Sequence, residues 1–416
     1  IIFLFKLLRK ISSPIITLSV VLITALNHDF IEFSHWILTE IPYLFFTILG
    51  IFLLEKFFQS QPPKIYYLLL TCGAFVFSFL VRPTGLAILL AGFIILLIKK
   101  KFKYLLIYTI IVIILIFPWL LRNAKIGAPI LGQSQSILVM RNVYDIEAGT
   151  MTYSEFIKRT LENVKIYTLS IIPTTTFPLF SIMMVSPFLF HLFAIFIICV
   201  TIYGFFYQIK KKFNIFHIYF ILYFLFILPW HEYVSSVRYF LPVMPLFFYF
   251  LCSGLVLINK KLKLKTQLLL PFFTGIVILT DFALVGKKSP ESLTNLFAYF
   301  RGDIDAGYSE DWVRYYQAAD WIRTNTPDSC VVLSRKPELF YLRSKRRSIC
   351  YPFTSDHNKI KSVIFDSKVD YIVIDRFYWT GTTPRYLIPV INENKDKFEI
   401  VYLTPPPETY VLRVKK

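Results

Sequence analysis

Long, largely apolar stretches recur about nine times before residue 286, at 11–26, 41–57, 65–81, 86–98, 104–121, 187–207, 213–229, 239–258 and 267–285. Each approaches the roughly 20 residues that a helix needs to cross a bilayer core. The chain is therefore expected to be a polytopic α-helical membrane protein of about nine spans. Composition agrees: 56% of residues are hydrophobic and 17% charged, where soluble domains carry about 25% charged. A wholly cytosolic globule and a disordered chain are both excluded, because 43 Phe and 26 Tyr leave too much apolar surface to hide. Five Cys in 416 residues are too few for a disulfide-knitted module.

The formal charge of +19 would suit nucleic acid if it were gathered on a soluble face. Instead, residues 1–286 hold 24 Lys and Arg against 10 Asp and Glu, and residues 287–416 hold 21 against 16. The lysines punctuate every second gap: Lys6 and Lys10, Lys56 and Lys64, Lys99–Lys103, Lys210–Lys212 and 260–265. That bias marks those gaps as cytosolic, so no nucleic-acid partner is expected. Ile1 followed by the basic flank Lys6, Arg9 and Lys10 reads as the cut end of an earlier helix, with further membrane segments expected before it.

The opposite gaps carry Asp29, Glu32, Glu40, Asp145, Glu147, Glu155, Glu162, Glu232 and Asp281, together with Arg82, Arg122, Arg141, Arg159 and Arg238. A guanidinium offers a planar fork that can hold phosphate bidentately, whereas lysine is a point charge. Chemistry is therefore expected at the outer face. In the long outer loop, 123–186, residues 151–170 repeat Phe156, Ile157, Leu161, Val164 and Leu169 at helical spacing among charged residues. That pattern predicts a helix lying in the membrane interface.

After residue 286 the chain turns polar. A connection over 287–308 is expected to lead to an extracytosolic α/β domain within 287–416, with helices over 315–323, 338–342, 358–365 and 386–392 and strands over 330–334, 348–351, 370–374, 400–403 and 410–414. It has no glycine-rich phosphate loop, so no nucleotide site is expected there. Cys330 and Cys350 fall in those strands; outside the cytosol they could form a disulfide, but buried thiols are the favoured reading. The six His show no metal-ligand spacing.

Four outer-face segments stand together: Asn27-His28-Asp29-Phe30 through Ser34-His35-Trp36-Ile37-Leu38-Thr39-Glu40; Arg82-Pro83-Thr84-Gly85; Pro118-Trp119-Leu120-Leu121-Arg122-Asn123; and Arg238-Tyr239-Phe240-Leu241-Pro242-Val243-Met244-Pro245. Their order, with the following α/β domain and its Ala318-Ala319-Asp320-Trp321-Ile322 and Asp370-Tyr371-Ile372-Val373-Ile374-Asp375 segments, resembles the GT-C class of membrane glycosyltransferases. The resemblance is to the family 39-like enzymes that include protein mannosyltransferases and the aminoarabinose transferase of lipid A. It implies transfer of a sugar from a polyprenyl-phosphate donor to a lipid, glycan or protein acceptor at the outer face, usually with inversion at the anomeric carbon. It also implies a leading catalytic acid in the first outer loop, which here would precede Ile1.

Glu40 matches a second acidic position that lines the cavity and in some members helps hold a divalent metal ion. Thr39 before it resembles a helix cap. Asp29 is a further candidate acid. Arg82 matches a basic position facing the lipid phosphate; Arg238 and Tyr239 resemble a pair near the donor, and Arg122 is a further phosphate candidate. Two other readings stay open: a polytopic transporter, and a glycan ligase or polymerase using a lipid diphosphate. Polar residues gathered at one face and the absence of an internal repeat speak against the first. The oligosaccharyltransferase branch is disfavoured, because its Trp-Trp-Asp motif does not occur.

Overall fold

A computed structural model describes residues 1–35, 38–127, 138–178, 186–231, 236–263, 268–377, 379 and 381–415. Of the residues singled out above, Trp36, Ile37, Glu232 and Lys265 lie outside the described residues. The chain divides into two units, one of Ile1–Val139 with Met151–Lys288 and one of Met140–Thr150 with Ser289–Lys416. The segment Met140–Thr150, expected within the outer loop of the first domain, thus groups with the second unit.

The first unit is helical. Among the described residues, four helices are long and apolar enough to cross a membrane: Glu40–Gln59, Phe102–Lys125, Pro187–Lys211 and Leu269–Phe300. Pro14–Leu26 and His28–His35, bent by 47° at Asn27, make a fifth if taken as one span. Among the described residues, the nine apolar runs thus do not all form helices of membrane-crossing length. Ile65–Val81, Leu86–Ile98 and Ile215–Ile227 form helices of 17, 13 and 13 residues, and at about 1.5 Å per residue the shorter two reach only about 20 Å. Met244–Lys261 is enclosed by its neighbours along most of its length. Phe102–Lys125 instead turns Leu106, Ile113, Ile114 and Phe117 outward, as a helix facing hydrocarbon would.

Two of these helices meet backbone to backbone. A Cβ on Gly204 would stand 2.0 Å from the carbonyl oxygen of Phe250, and one on Gly254 2.1 Å from that of Val200. Without a water-driven hydrophobic effect between lipid-solvated helices, such close approach is a principal source of their association. Gly254→Ala is expected to cost about 1–3 kcal/mol by overpacking, read as a lowered thermal midpoint of the purified protein in detergent.

The predicted interfacial helix forms over Tyr153–Ile166, opened by a capping box in which Thr152 and Glu155 exchange side-chain and backbone bonds. Its two buried residues, Arg159 and Asn163, are polar. Asn163 donates to the carbonyls of Leu228 (2.7 Å) and Trp230 (2.6 Å), and Arg159 to that of Leu138 (3.1 Å). Leu161, Ile157 and Val164 point outward. The exposed surface mixes these apolar side chains with Lys158, Glu162 and Lys165, the combination of an amphipathic helix at a membrane interface.

Leu269–Phe300 runs through Pro290 where a polar connection was expected from residue 287. The change in hydropathy at Lys287 supplies no stop signal. The helix ends only before Gly302, whose φ of +102° is left-handed.

The second unit holds a five-stranded sheet of β1 (Val331–Leu333), β2 (Arg347–Ile349), β3 (Tyr371–Ile374), β4 (Phe398–Leu403) and β5 (Tyr410–Val414). Its order is β2-β1-β3-β5-β4. β2, β1 and β3 run parallel, whereas β3–β5 and β5–β4 are antiparallel. Successive strand residues face opposite sides. Leu333, Ile372 and Leu412 pack with Ile360, Ile364 and Val390 on one face; Val332, Val373 and Val411 pack with Ala318, Ala319 and Ile322 on the other. Met140–Thr150 is tied to this unit by Arg385–Asp145 (2.7 Å) and by Thr354 donating to Glu147 (2.8 Å). Hydrogen bonds from Ser355 and Thr354 hold the Glu147 carboxyl below its usual range. Cys330 and Cys350 are free thiols.

Candidate functional site

Arg82 follows the last turn of Ile65–Val81 and precedes Pro83, whose ring forces the preceding residue out of the helical region. Its backbone is extended, at φ −147° and ψ 134°. Thr84 and Gly85 then tuck the chain against the preceding helix, so tightly that a Cβ at Gly85 would lie 2.5 Å from the backbone of Phe79. This turn lifts the Arg82 guanidinium off the helix axis and toward Glu40.

Glu40 is the first residue of Glu40–Gln59, where the helix dipole favours an acid. Thr39 occupies the capping position without a side-chain hydrogen bond, so it does not act as the cap read from the sequence. The Glu40 side chain is fully buried. Its Oε1 accepts from Arg82 Nη1 at 2.9 Å and from Arg238 Nε. Arg238 comes from the short helix Val237–Phe240, and the neighbouring Tyr239 ring lies 4.8 Å from the Arg82 guanidinium carbon. Four residues separated by up to about two hundred positions thus form one cluster. Two guanidiniums face one carboxylate, so the cluster carries one net positive charge. That charge is best exposed at Arg238, whose side chain is 37% accessible against 7% for Arg82.

Aromatic hydroxyls surround the cluster, and sequence reasoning did not single them out. Tyr43, one turn beyond Glu40, shares a hydrogen bond with Tyr219 (3.0 Å), and Tyr223 donates to the carbonyl of Tyr239 (2.8 Å). Thr47 and Ser78 pair below them at 3.2 Å. The only available signal was the spacing of Tyr219 and Tyr223, one turn apart in an otherwise apolar helix. An apolar cavity of about 300 Å³ opens beside the next turn of the Glu40 helix, lined among others by Ile31, Ile41, Leu44, Ile48 and Pro245.

Asp29 belongs to a second group. Its carboxylate lies 3.2 Å from His28 Nε2, while His28 Nδ1 lies 2.9 Å from Oδ1 of the fully buried Asp281. The same Asp281 oxygen accepts from the backbone N–H of His28 (3.1 Å) and from Asn27 Nδ2 (3.4 Å). Asn27 in turn accepts from the amides of Asp29 and Phe30, capping His28–His35. Asp281 was legible as an acid within an apolar run, which by itself marks a site, but its partner lay some 250 positions away. His28→Ala should leave that buried carboxylate short of a partner, at a cost of about 1–3 kcal/mol. The check is a thermal melt in which adding Asp281→Asn recovers part of the loss.

Arg122 stands apart. Its guanidinium lies 5.0 Å over Trp119 and donates to Asn123, and the residue is exposed at its helix end. The structure therefore gives it the setting of an interfacial anchor rather than a place beside Glu40. His231 is buried.

The residues at Glu40 do not suit the divalent ion expected there. Two guanidiniums already bond to Oε1 and would repel a cation, although Oε2 is buried without a partner among the described residues. Among the described residues, no group of three or more His, Cys, Asp or Glu is placed to hold a metal.

No family model and no curated protein matches the chain. Among solved structures, it is similar to the apo crystal structure of the Archaeoglobus fulgidus oligosaccharyltransferase, with TM-score 0.49 and 14% identity over 100% of this chain and 62% of the other. It is also similar to the oligosaccharyltransferase AglB from Archaeoglobus fulgidus in complex with an inhibitory peptide and a dolichol-phosphate, with TM-score 0.47 and 13% identity over 98% of this chain and 61% of the other. The chain thus spans about three fifths of the length of these structures.

Proposed function

We propose that the chain is the membrane part and C-terminal domain of a multi-pass GT-C class glycosyltransferase that uses a lipid-linked donor, a polyprenyl-phosphate sugar, at the extracytosolic face. The observation that carries this reading is the Glu40–Arg82–Arg238 cluster: a partly exposed site with one surplus positive charge, aligned by a buried carboxylate.

In this reading Arg238 and Arg82 receive the donor phosphate and stabilise the charge that grows on it as the glycosidic bond breaks. Glu40 holds both guanidiniums in place. The apolar cavity beside Ile41 and Leu44 takes the first isoprene units. An acceptor oxygen attacks the anomeric carbon from the side opposite the phosphate, which inverts it, and loses its proton to a carboxylate. Asp29, buttressed by His28 and Asp281, is the proposed acceptor of that proton. Membrane lipid, glycan and protein remain the acceptor classes.

The test is transfer of label from a panel of polyprenyl-monophosphate sugars into lipid, glycan and protein fractions of membranes containing the full-length gene product. Transfer seen only with the wild type, and not with Glu40→Gln, supports the reading. Absence of transfer from every monophosphate donor, with the protein shown to be folded, overturns it in favour of a lipid-diphosphate donor or of transport.

A further inference from the structure

The sheet of the second unit changes winding direction between two neighbouring parallel strands. From β1 the chain passes through Pro337–Ser344 to β2 on one side, then through His357–Asp366 back across β1 to β3 on the other. In an open α/β sheet this is where the connections leave in opposite directions and open a crevice at the carboxyl ends of the strands. The residues at that edge are Ser334-Arg335-Lys336 after β1 and Asp375-Arg376-Phe377 after β3.

Arg335 is 94% buried, with 6% of its surface exposed. Its Nε donates to Thr382 Oγ1 at 2.6 Å, and its guanidinium lies 4.4 Å over the Phe353 ring. Among the described residues, neither of its terminal nitrogens has a hydrogen-bond partner. Ser334 Oγ is buried without a hydrogen-bond partner among the described residues, whereas other polar groups of this floor pair with one another. Tyr351 and Thr383 share a hydrogen bond (2.8 Å), and Thr383 donates to Asp375 (2.9 Å). Burial raises the Asp375 carboxyl above its ordinary range, and it forms no ion pair with Arg335 among the described residues. A guanidinium held by Nε and open at both terminal nitrogens is a fork that can receive an anion.

The lip of the crevice is aromatic. Trp379 is 41% exposed. It lies nearly parallel to Trp312, at 6.4 Å and 21°, with Lys336 Nζ 4.7 Å over its ring. With Trp312, Phe377 and Lys336 packed against the ring, its exposed indole surface offers an apolar platform beside a cation for the C–H groups of a pyranose. Neither turn, Ser334–Lys336 or Asp375–Phe377, has a glycine that would let backbone amides close around a diphosphate.

We propose that this edge binds a saccharide bearing an anionic group, with the anion on Arg335 and Lys336 and the sugar ring on Trp379. The site lies wholly within the second unit and does not depend on the transfer reaction.

The experiment is titration of the purified full chain in detergent, followed by tryptophan fluorescence and calorimetry. The probes are a uronic-acid oligosaccharide, a sugar 1-phosphate, the corresponding neutral oligosaccharide and a nucleoside diphosphate. At least one of the two anionic saccharides is expected to bind about tenfold or more tighter than the neutral one, and which of them does so identifies the anion as carboxylate or phosphate. Trp379→Ala, at the exposed lip, should weaken binding about tenfold with an unchanged thermal midpoint, and Arg335→Gln by at least as much. Glu40→Gln should bind like the wild type, so loss of transfer and loss of this site are separable. Equal binding of neutral and anionic saccharides, tighter binding of the nucleotide, no saccharide binding, or full affinity in Trp379→Ala would each overturn the proposal.

Discussion

Glu40→Gln is expected to lower sugar transfer at least about a hundredfold while the protein still accumulates in the membrane. Glutamine keeps the volume and one acceptor oxygen but removes the charge that reconciles two guanidiniums. Arg82 is enclosed between Glu40 and the Tyr239 ring, so it has nowhere to move. Arg238, the more exposed partner, is the one that would swing away and take the proposed phosphate contact with it. Glu40→Asp restores the charge but not the reach, so it should recover only part of the activity. Turnover close to wild type in Glu40→Gln, measured as label transferred per amount of folded protein, would rule out its assigned role.

Arg82→Ala is expected to raise the donor KM about tenfold or more and to leave the acceptor KM unchanged. The residue is buried and pinned on both sides, which makes the loss a matter of electrostatics at one point rather than of a flexible surface charge. Arg82→Lys should rescue little, because an ammonium can neither stack flat on Tyr239 nor present two parallel donors. Combining Arg82→Ala with Glu40→Gln should give less than the summed effects, with a coupling of about 0.5–3 kcal/mol. Strict additivity would mean that the two side chains act separately, and an unchanged donor KM would remove Arg82 from the phosphate site.

Several elements were legible because their signal is local. Strand composition and flanking turns predicted strands over 370–374, 400–403 and 410–414, and the structure has strands at Tyr371–Ile374, Phe398–Leu403 and Tyr410–Val414. The amphipathic repeat over 151–170 became the helix Tyr153–Ile166. Helix length was read less well, since hydropathy reports what surrounds a residue and not whether its backbone continues. Leu269–Phe300 therefore runs past Lys287, and the runs at 86–98 and 213–229 stop short of a full span.

The site followed the same division. Residue type and sidedness placed Glu40, Arg82 and Arg238 among the outer-face charges, and only the family resemblance singled them out together with Tyr239. Nothing in the sequence says that these four meet while Arg122 stays on Trp119, that His28 bridges Asp29 to Asp281, or that Arg335 keeps two donors open at the sheet edge. Such partnerships join residues up to some 250 positions apart, and they are selected by helix packing at contacts such as Gly204 against Phe250. The chemistry of each side chain was fixed residue by residue, whereas its partner was decided only when close-packed backbones left one place for each buried charge.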